Sequence, residues 1–268
     1  MFRYEEYQIR RELSVFIKKL WTLNNLNDSL PVLNKSVLPN GCFNIAFIQG
    51  LGLQIKHQNI DKLLPAGVYF CGQMTEALSV SIEPFTKATM VQLYPWTPVH
   101  FISANLSLYT DQIVPTTDMG FVPFNNLKIV EGLTYSSICR QVIAAFNPLL
   151  NFSTASSLIL RGTQMIVNTH GNTTIIEVAT TLNCSVRYLQ KLFKTYIGLT
   201  PKQLAVIIKL RDAVDDIAYP GSDSATLTRL ALANRFYDQA HFNNTFQAIV
   251  KTSPNKFHVP DYFLSFKN

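Results

Sequence analysis

The sequence lacks the signatures of a secreted disulfide scaffold, a membrane protein or a metalloenzyme. Its four cysteines, Cys42, Cys71, Cys139 and Cys184, are widely separated and form no C-x-x-C pair, so neither a zinc knuckle nor a disulfide framework is indicated. It contains no run of about 18 apolar residues to span a bilayer. The start, Met1-Phe-Arg-Tyr-Glu-Glu, is charged where a signal peptide needs an apolar core. A cytoplasmic location with no membrane partner is expected. The five histidines, His57, His100, His170, His241 and His258, do not cluster as a cupin metal site requires, with two His lying two apart and a carboxylate soon after. No nucleophile elbow, Walker loop or H-E-x-x-H occurs. The chain is therefore expected to be no enzyme, with no catalytic residue, metal or cofactor.

What is present is ample apolar material. At 268 residues, 47% hydrophobic and 12% aromatic, the chain can build two domains with real cores and is well clear of disorder. Charge is unevenly spread. From Arg161 onward there are 12 basic and 7 acidic residues, net +5, leaving 11 and 10, net +1, for residues 1 to 160. The positive balance thus lies in the C-terminal part, where it suits an anionic partner such as duplex DNA.

In that part, Ser185-Val-Arg-Tyr-Leu-Gln-Lys-Leu-Phe-Lys194, followed by Gly198-Leu-Thr-Pro201, has the pattern of a capped amphipathic helix. Ser185 can accept a first-turn N–H, and Leu189, Leu192 and Phe193 share one apolar stripe. The opposite face carries Arg187, Tyr188, Gln190, Lys191 and Lys194. Upstream, Ile175, Ile176, Val178, Ala179 and Leu182 mark a short helix, and Asn183-Cys184 supplies the turn, Asn tolerating left-handed backbone. This is a helix-turn-helix. A second unit follows: a short helix over 227–234, a turn at Arg235-Phe236-Tyr237, and a helix from Gln239 to about Ile249 capped by Asp238, with Phe242, Phe246 and Ile249 on its buried stripe. The two second helices start at Val186 and Gln239, 53 positions apart, with an amphipathic helix from about Lys202 to Ile217 between them.

That doubled arrangement resembles the AraC/XylS family of transcription regulators, over roughly residues 155 to 260. The matching residues are Ala179, Ser185, Leu189, Phe193, Gly198 and Thr200-Pro201 in the first unit, then Phe236, Asp238-Gln239-Ala240-His241-Phe242, Phe246 and Ser253-Pro254 in the second. The departures are Arg235 and Lys251 where the family has Gly, Ala240 where Ser is usual, and Gln247 where Lys or Arg is common. A non-Gly residue in left-handed backbone costs on the order of 1–2 kcal/mol, so the second turn is expected to be strained or rebuilt. The resemblance implies a partner in double-stranded DNA, with recognition helices in successive major grooves, and action through RNA polymerase. Arg187, Tyr188, Gln190 and Lys191 on the first helix, and Gln239, Ala240, Asn243 and Asn244 on the second, are the candidate base contacts. Lys194, Lys209, Arg229, Arg235 and Gln247 are the candidate phosphate contacts, a role also open to Lys191. The second helix has no Lys or Arg between Gln239 and Ile249 and should contribute less electrostatic affinity. The alternative is a degenerate regulator that acts through protein contacts, its second unit no longer reading bases. A methyl-acceptor enzyme fused to such a reader needs four N-terminal cysteines, and the chain has three there.

Residues 1 to 125 have a different texture. Short segments rich in β-branched and aromatic residues, such as Phe43–Ile48, Leu51–Lys56, Gly67–Cys71, Leu78–Ile82 and Ala88–Tyr94, are separated by Pro, Gly and Asn, which argues for a β-sandwich or barrel. Leu38-Pro-Asn-Gly-Cys-Phe and Phe70-Cys-Gly-Gln resemble the sensor-like domain of one AraC-type subgroup, with Asn40 in place of its aspartate. A small-molecule effector is expected there. Phe43, Phe47, Tyr69, Tyr94 and Trp96 are the candidate pocket walls, with Asn44, Gln73, Glu76 and Gln92 as candidate polar contacts. Residues 126 to 154 form a helical link: a helix over 127–150 is expected from Leu127, Val130, Leu133, Ile138, Val142, Ile143 and Phe146, ending at Asn147-Pro148 and available to pair in a homodimer or to pack on the barrel. Ser153 to Ser157 reads as a linker, and residues 155–268 as the DNA-binding domain.

Overall fold

The computed structural model describes all residues except 1, 8, 10–13, 59, 103, 122–123, 125, 131–132, 147–152, 220–226 and 264–268. Its N-terminal part is built from β1 (Arg3–Tyr7), β2 (Ile17–Asn25), β3 (Val32–Val37), β4 (Phe43–Gln49), β5 (Leu53–His57), β6 (Ile60–Leu64), β7 (Gly67–Cys71), β8 (Leu78–Ile82), β9 (Thr86–Leu93) and β10 (Ile113–Pro115). They make two sheets, one ordered β1-β2-β9-β4-β7-β10 and the other β3-β8-β5-β6, with antiparallel neighbours throughout.

The central strand β4 shows why the larger sheet is covered on both sides. Successive side chains of a strand point to opposite faces, and β4 is apolar on both. Phe43, Ile45 and Phe47 face one way, with Phe70, Val91 and Leu93, beneath helix α1 (Tyr135–Phe146), which contributes Ile138, Cys139, Val142 and Ala145. Ala46 and Ile48 face the other way, with Trp21 and Leu23, toward Leu53, Ile55, Val80 and Ile82 of the smaller sheet. The result is a sandwich with a helix on its outer face.

Four strands, β1, β2, β6 and β10, lie where no strand is predicted. In β2 a Lys18-Lys19 pair interrupts the apolar alternation while six of the other seven residues are buried. The predicted helix over 127–150 is shorter: α1 begins at Tyr135, its first turn ordered by the Ser137 N–H donating to Thr134 Oγ1 at 3.2 Å. Leu127 and Leu133 are buried in irregular chain. Ile138, Cys139, Val142 and Ala145 of α1 pack on the chain's own sheet, one of the two arrangements expected for this segment. Asn147-Pro148, the expected stop, lies outside the described residues. Ser153 to Ser157 is no linker: Ser153 caps α2 (Thr154–Asn168), accepting from the Ser156 N–H at 3.1 Å.

The C-terminal part is helical, as expected: α3 (Ile175–Thr181), α4 (Val186–Ile197), α5 (Pro201–Ala218), α6 (Leu227–Ala233) and α7 (Gln239–Val250). Among the described residues no helix is long and apolar enough to cross a membrane.

Candidate DNA-binding face and ligand cavity

The two helix pairs α3–α4 and α6–α7 close their first helices in the same way. In the first, the Cys184 N–H donates to Ala179 O and the Asn183 N–H to Thr180 O, both at 3.0 Å, with Asn183 at φ 51°. In the second, the Phe236 N–H donates to Ala231 O and the Arg235 N–H to Leu232 O, both at 2.9 Å, with Arg235 at φ 52°. Both are Schellman endings, whose left-handed residue satisfies the last helical carbonyls. The caps that follow also match: Ser185 Oγ accepts from the Tyr188 N–H at 3.1 Å, and Asp238 Oδ1 from the His241 N–H at 2.6 Å. The second turn is one residue longer, and that residue, Tyr237, is 88% exposed. Leu189 and Phe193 in α4, like Phe242 and Phe246 in α7, are fully buried. Helix α5, with a Thr200/Gln203 capping box and Pro201 in its first turn, joins the units.

Residues 178–258 match the family described as Helix-turn-helix domain. This region is an AraC-type helix-turn-helix domain. Residues 5–115 match a different family, described as a domain of unknown function (DUF6597). Among solved structures, the chain is similar to ToxT from Vibrio cholerae, at 10% identity over 95% of this chain and 97% of that one, TM-score 0.45. It is also similar to wild-type ToxT from Vibrio cholerae strain SCE256 with an unsaturated fatty acid bound, at 10% identity over 88% and 91%, TM-score 0.43. A third similarity is to the AraC-like transcriptional activator CuxR, at 15% identity over 82% and 87%, TM-score 0.27. No curated protein matches the sequence.

On α4 the structure exposes Arg187, Tyr188, Gln190, Lys191 and Lys194 together, while the apolar stripe is spent on the core. Lys194 is also tied within its own helix end, its Nζ donating to Gly198 O at 3.1 Å, where a cation suits the C-terminal dipole. On α7, Gln239, Ala240, Asn244 and Gln247 are exposed. Gln239 Oε1 already accepts from Thr228 Oγ1 at 2.7 Å. Asn243 is half-buried and its Oδ1 is enclosed without a hydrogen-bond partner, so this side chain turns partly inward. Arg229 and Arg235 are exposed. Lys209 is held in the chain, its Nζ donating to Arg235 O at 3.3 Å and standing 5.7 Å from the centroid of the Phe236 ring. Burial, and then the Arg235 guanidinium, lower its pKa.

Both units are anchored on the sheet region at the ends of their second helices. At the end of α4, Thr110 Oγ1 donates to Gly198 O at 2.8 Å. Gly198 has φ 81°, and a Cβ there would lie 2.7 Å from Thr110 Oγ1 and 3.0 Å from Leu106 O, so both backbone conformation and space demand glycine. At the end of α7, the Ala77 N–H donates to Ile249 O at 2.7 Å and Lys251 pairs with Glu76. Side chains cross as well: Trp96 and Val99 enter the core of the first unit, and Leu38 enters that of the second beside Phe236, Phe242 and Phe246.

A cavity with about 80 Å³ of interior open to a water-sized molecule lies between the two sheets. Trp21, Ile55, Val80, Met90 and Ile113 are among its apolar walls, and Leu38, Pro39, Asn40 and Cys42 close one end. The five aromatics predicted as pocket walls are not among its lining. Phe43 and Phe47 point to the opposite face of β4, under α1. Tyr69 packs in the sandwich core with its hydroxyl donating to Pro65 O at 3.0 Å. Tyr94 and Trp96 stack with ring centroids 4.4 Å apart against the first helix-turn-helix core. The register is the reason: one position along β4 changes the face, so Asn44, Ala46 and Ile48 line the cavity instead. Of the four predicted polar contacts, Asn44 and Gln92 do line it. They stand directly opposite each other on β4 and β9. Gln73 is turned away, its Nε2 donating to Gly41 O at 2.9 Å, and Glu76 serves the α7 anchor.

Proposed function

We propose that this chain is a sequence-specific transcription regulator in which residues 155–268 bind duplex DNA, residues 1–125 bind a small-molecule effector, and residues 126–154 connect them. The observation that carries the reading is the open face of α4, where Arg187, Tyr188, Gln190 and Lys191 stand exposed on a helix fixed by the Ser185 cap and the Asn183 turn. Arg187 is assigned to a guanine edge, which a guanidinium meets with two hydrogen bonds. Gln190 pairs with adenine or bridges through water, and Lys191 serves a phosphate or a base edge. The bound regulator acts on RNA polymerase.

The effector occupies the cavity between the sheets. Leu38 supports a route for its influence, because this one residue both lines the cavity and packs in the core of the second helix-turn-helix. Gly41, three residues on, lies against Leu204 and Ile208 of α5. A ligand that displaces the wall at residues 38–42 therefore pushes directly on the DNA-binding region.

A second reading concerns the second unit alone. Helix α7 carries no Lys or Arg, its Gln239 is engaged by Thr228, and its end is pinned to the sheet region by Glu76 and Ala77. These features favour a unit that orients the first reader and contributes little base recognition itself.

A mobility-shift assay of the full chain with promoter fragments from its own gene neighbourhood tests the function. The expected result is sequence-dependent retardation that Arg187→Ala weakens. A folded chain that retards no fragment even at low salt overturns it.

A further inference from the structure

The chemistry of the cavity's walls restricts what can fill it. None of the described residues lining it is charged, and most have apolar side chains. The polar groups gather at one end, where Gln92 and Asn44 face each other across β9 and β4, near Asn40, Cys42 and Cys71. Within this group, Asn44 Oδ1 is enclosed and has no hydrogen-bond partner. A buried acceptor left unpaired is costly, so this atom marks where a ligand's donor belongs.

Three of the neighbouring cations are already committed, and a fourth, Lys18, is exposed on β2 and does not line the cavity. Lys19 continues the same cross-strand row, opposite Gln92, and its Nζ pairs with Glu6 and donates to Tyr4 Oη at 3.2 Å. Arg211, on α5, is bound to Asp215 at 3.1 Å. Lys62, on β6, donates from Nζ to Ile113 O at 2.7 Å. An anionic ligand would meet no charged side chain among the described residues that line the cavity and would bring a further acceptor to an acceptor. Burying a carboxylate without a cation or a full set of donors is strongly unfavourable.

Resting on the reading of this cavity as the effector site, we propose that it takes an uncharged, mainly apolar ligand that donates one hydrogen bond to Asn44 and meets the Gln92 amide with its polar end. An aliphatic alcohol or a phenol has this chemistry.

The test uses the full chain and calorimetric titration at pH 7.5 with three probes of equal chain length: 1-nonanol, nonanoate and nonane. The alcohol is expected to bind at least about 100-fold more tightly than the carboxylate, which must be desolvated without a partner charge. It should also bind about 10-fold more tightly than the alkane, which leaves Asn44 unpaired. Asn44→Leu should erase the difference between alcohol and alkane. The comparison among probes on the unaltered chain stands even if this variant does not fold. Nonanoate binding as tightly as nonanol overturns the neutral ligand class and leaves the cavity an effector site. An alcohol no better than the alkane overturns the role of Asn44. Binding by none of the three overturns the cavity as a ligand site, and the DNA-binding reading is then judged by its own mobility-shift assay.

Discussion

Arg235→Gly isolates the energetic cost of one left-handed residue. Arg235 closes α6 at φ 52°, a conformation that costs a residue with a Cβ on the order of 1–2 kcal/mol. The bonds at this position are made by backbone: the Arg235 N–H to Leu232 O, the Phe236 N–H to Ala231 O, and Arg235 O to the Lys209 ammonium. All survive the substitution. The side chain is exposed, so no packing is lost, and its removal relieves Lys209 of a cationic neighbour. Against the relief stands the greater freedom of glycine in the unfolded chain, roughly 0.5–1 kcal/mol. The net expectation is a gain of about 0.5–1 kcal/mol, or about 1–4 °C in Tm for a chain of this size. Thermal unfolding followed by far-ultraviolet circular dichroism measures it. Lys251→Gly is the control: Lys251 has φ 66° and gains the same backbone relief, but it gives up the ion pair with Glu76, so its gain should be the smaller. A Tm lowered by Arg235→Gly refutes the strain argument. A raised Tm with weakened DNA binding shows in addition that the guanidinium reaches a phosphate.

Four further outcomes are expected. Arg187→Ala should cost about 1–3 kcal/mol on the preferred site and relax selectivity at one base position, whereas Lys191→Ala, if it serves a phosphate, should weaken all sequences alike and reduce the salt slope by about 1; binding measured on a site library at several salt concentrations separates the two roles. Gly198→Ala should destabilise the chain by roughly 1–3 kcal/mol, since it meets both a left-handed φ and contacts to Thr110 and Leu106 closer than a Cβ tolerates, and an unchanged urea midpoint would show that this anchor is loose. Burial pushes the Cys71 thiol from 9.0 up to about 12, so between those values the unfolded chain ionises it and the folded chain does not; stability should fall as pH rises through that window, by at most about 1.4 kcal/mol per pH unit, and less steeply in Cys71→Ala. The helical region expressed alone from Ser153 should be less stable than in the full chain, because Trp96, Val99 and Leu38 are missing from its cores, and equal Tm values would contradict that account.

The helices of the DNA-binding region were legible because their determinants are local. The 3.6-residue apolar period, Ser185, Thr200 and Asp238 as caps, Pro201 in the first turn and the turn residues Asn183 and Arg235 all act within a few positions of where they stand, so the starts of α3 to α7 agree with the sequence reading to within a residue, whereas α2 begins at Thr154, inside the expected linker. The same holds for the exposed face of α4, since a helix that buries Leu189, Leu192 and Phe193 has no choice about where Arg187 and Lys191 go. The cavity was a different matter. Alternation along β4 sorts its side chains into two sets, but both are apolar, and nothing local says which set faces the second sheet and which lies under α1. By sequence the large aromatics therefore have the pattern of pocket walls, whereas Phe43 and Phe47 fill the outer core and the smaller Asn44 and Ala46 leave the space that becomes the cavity. In the same way, Trp96 and Leu38 belong by sequence to the sheet region yet are buried in the helical cores, because the partner that covers an apolar side chain is chosen by packing between segments far apart in the chain.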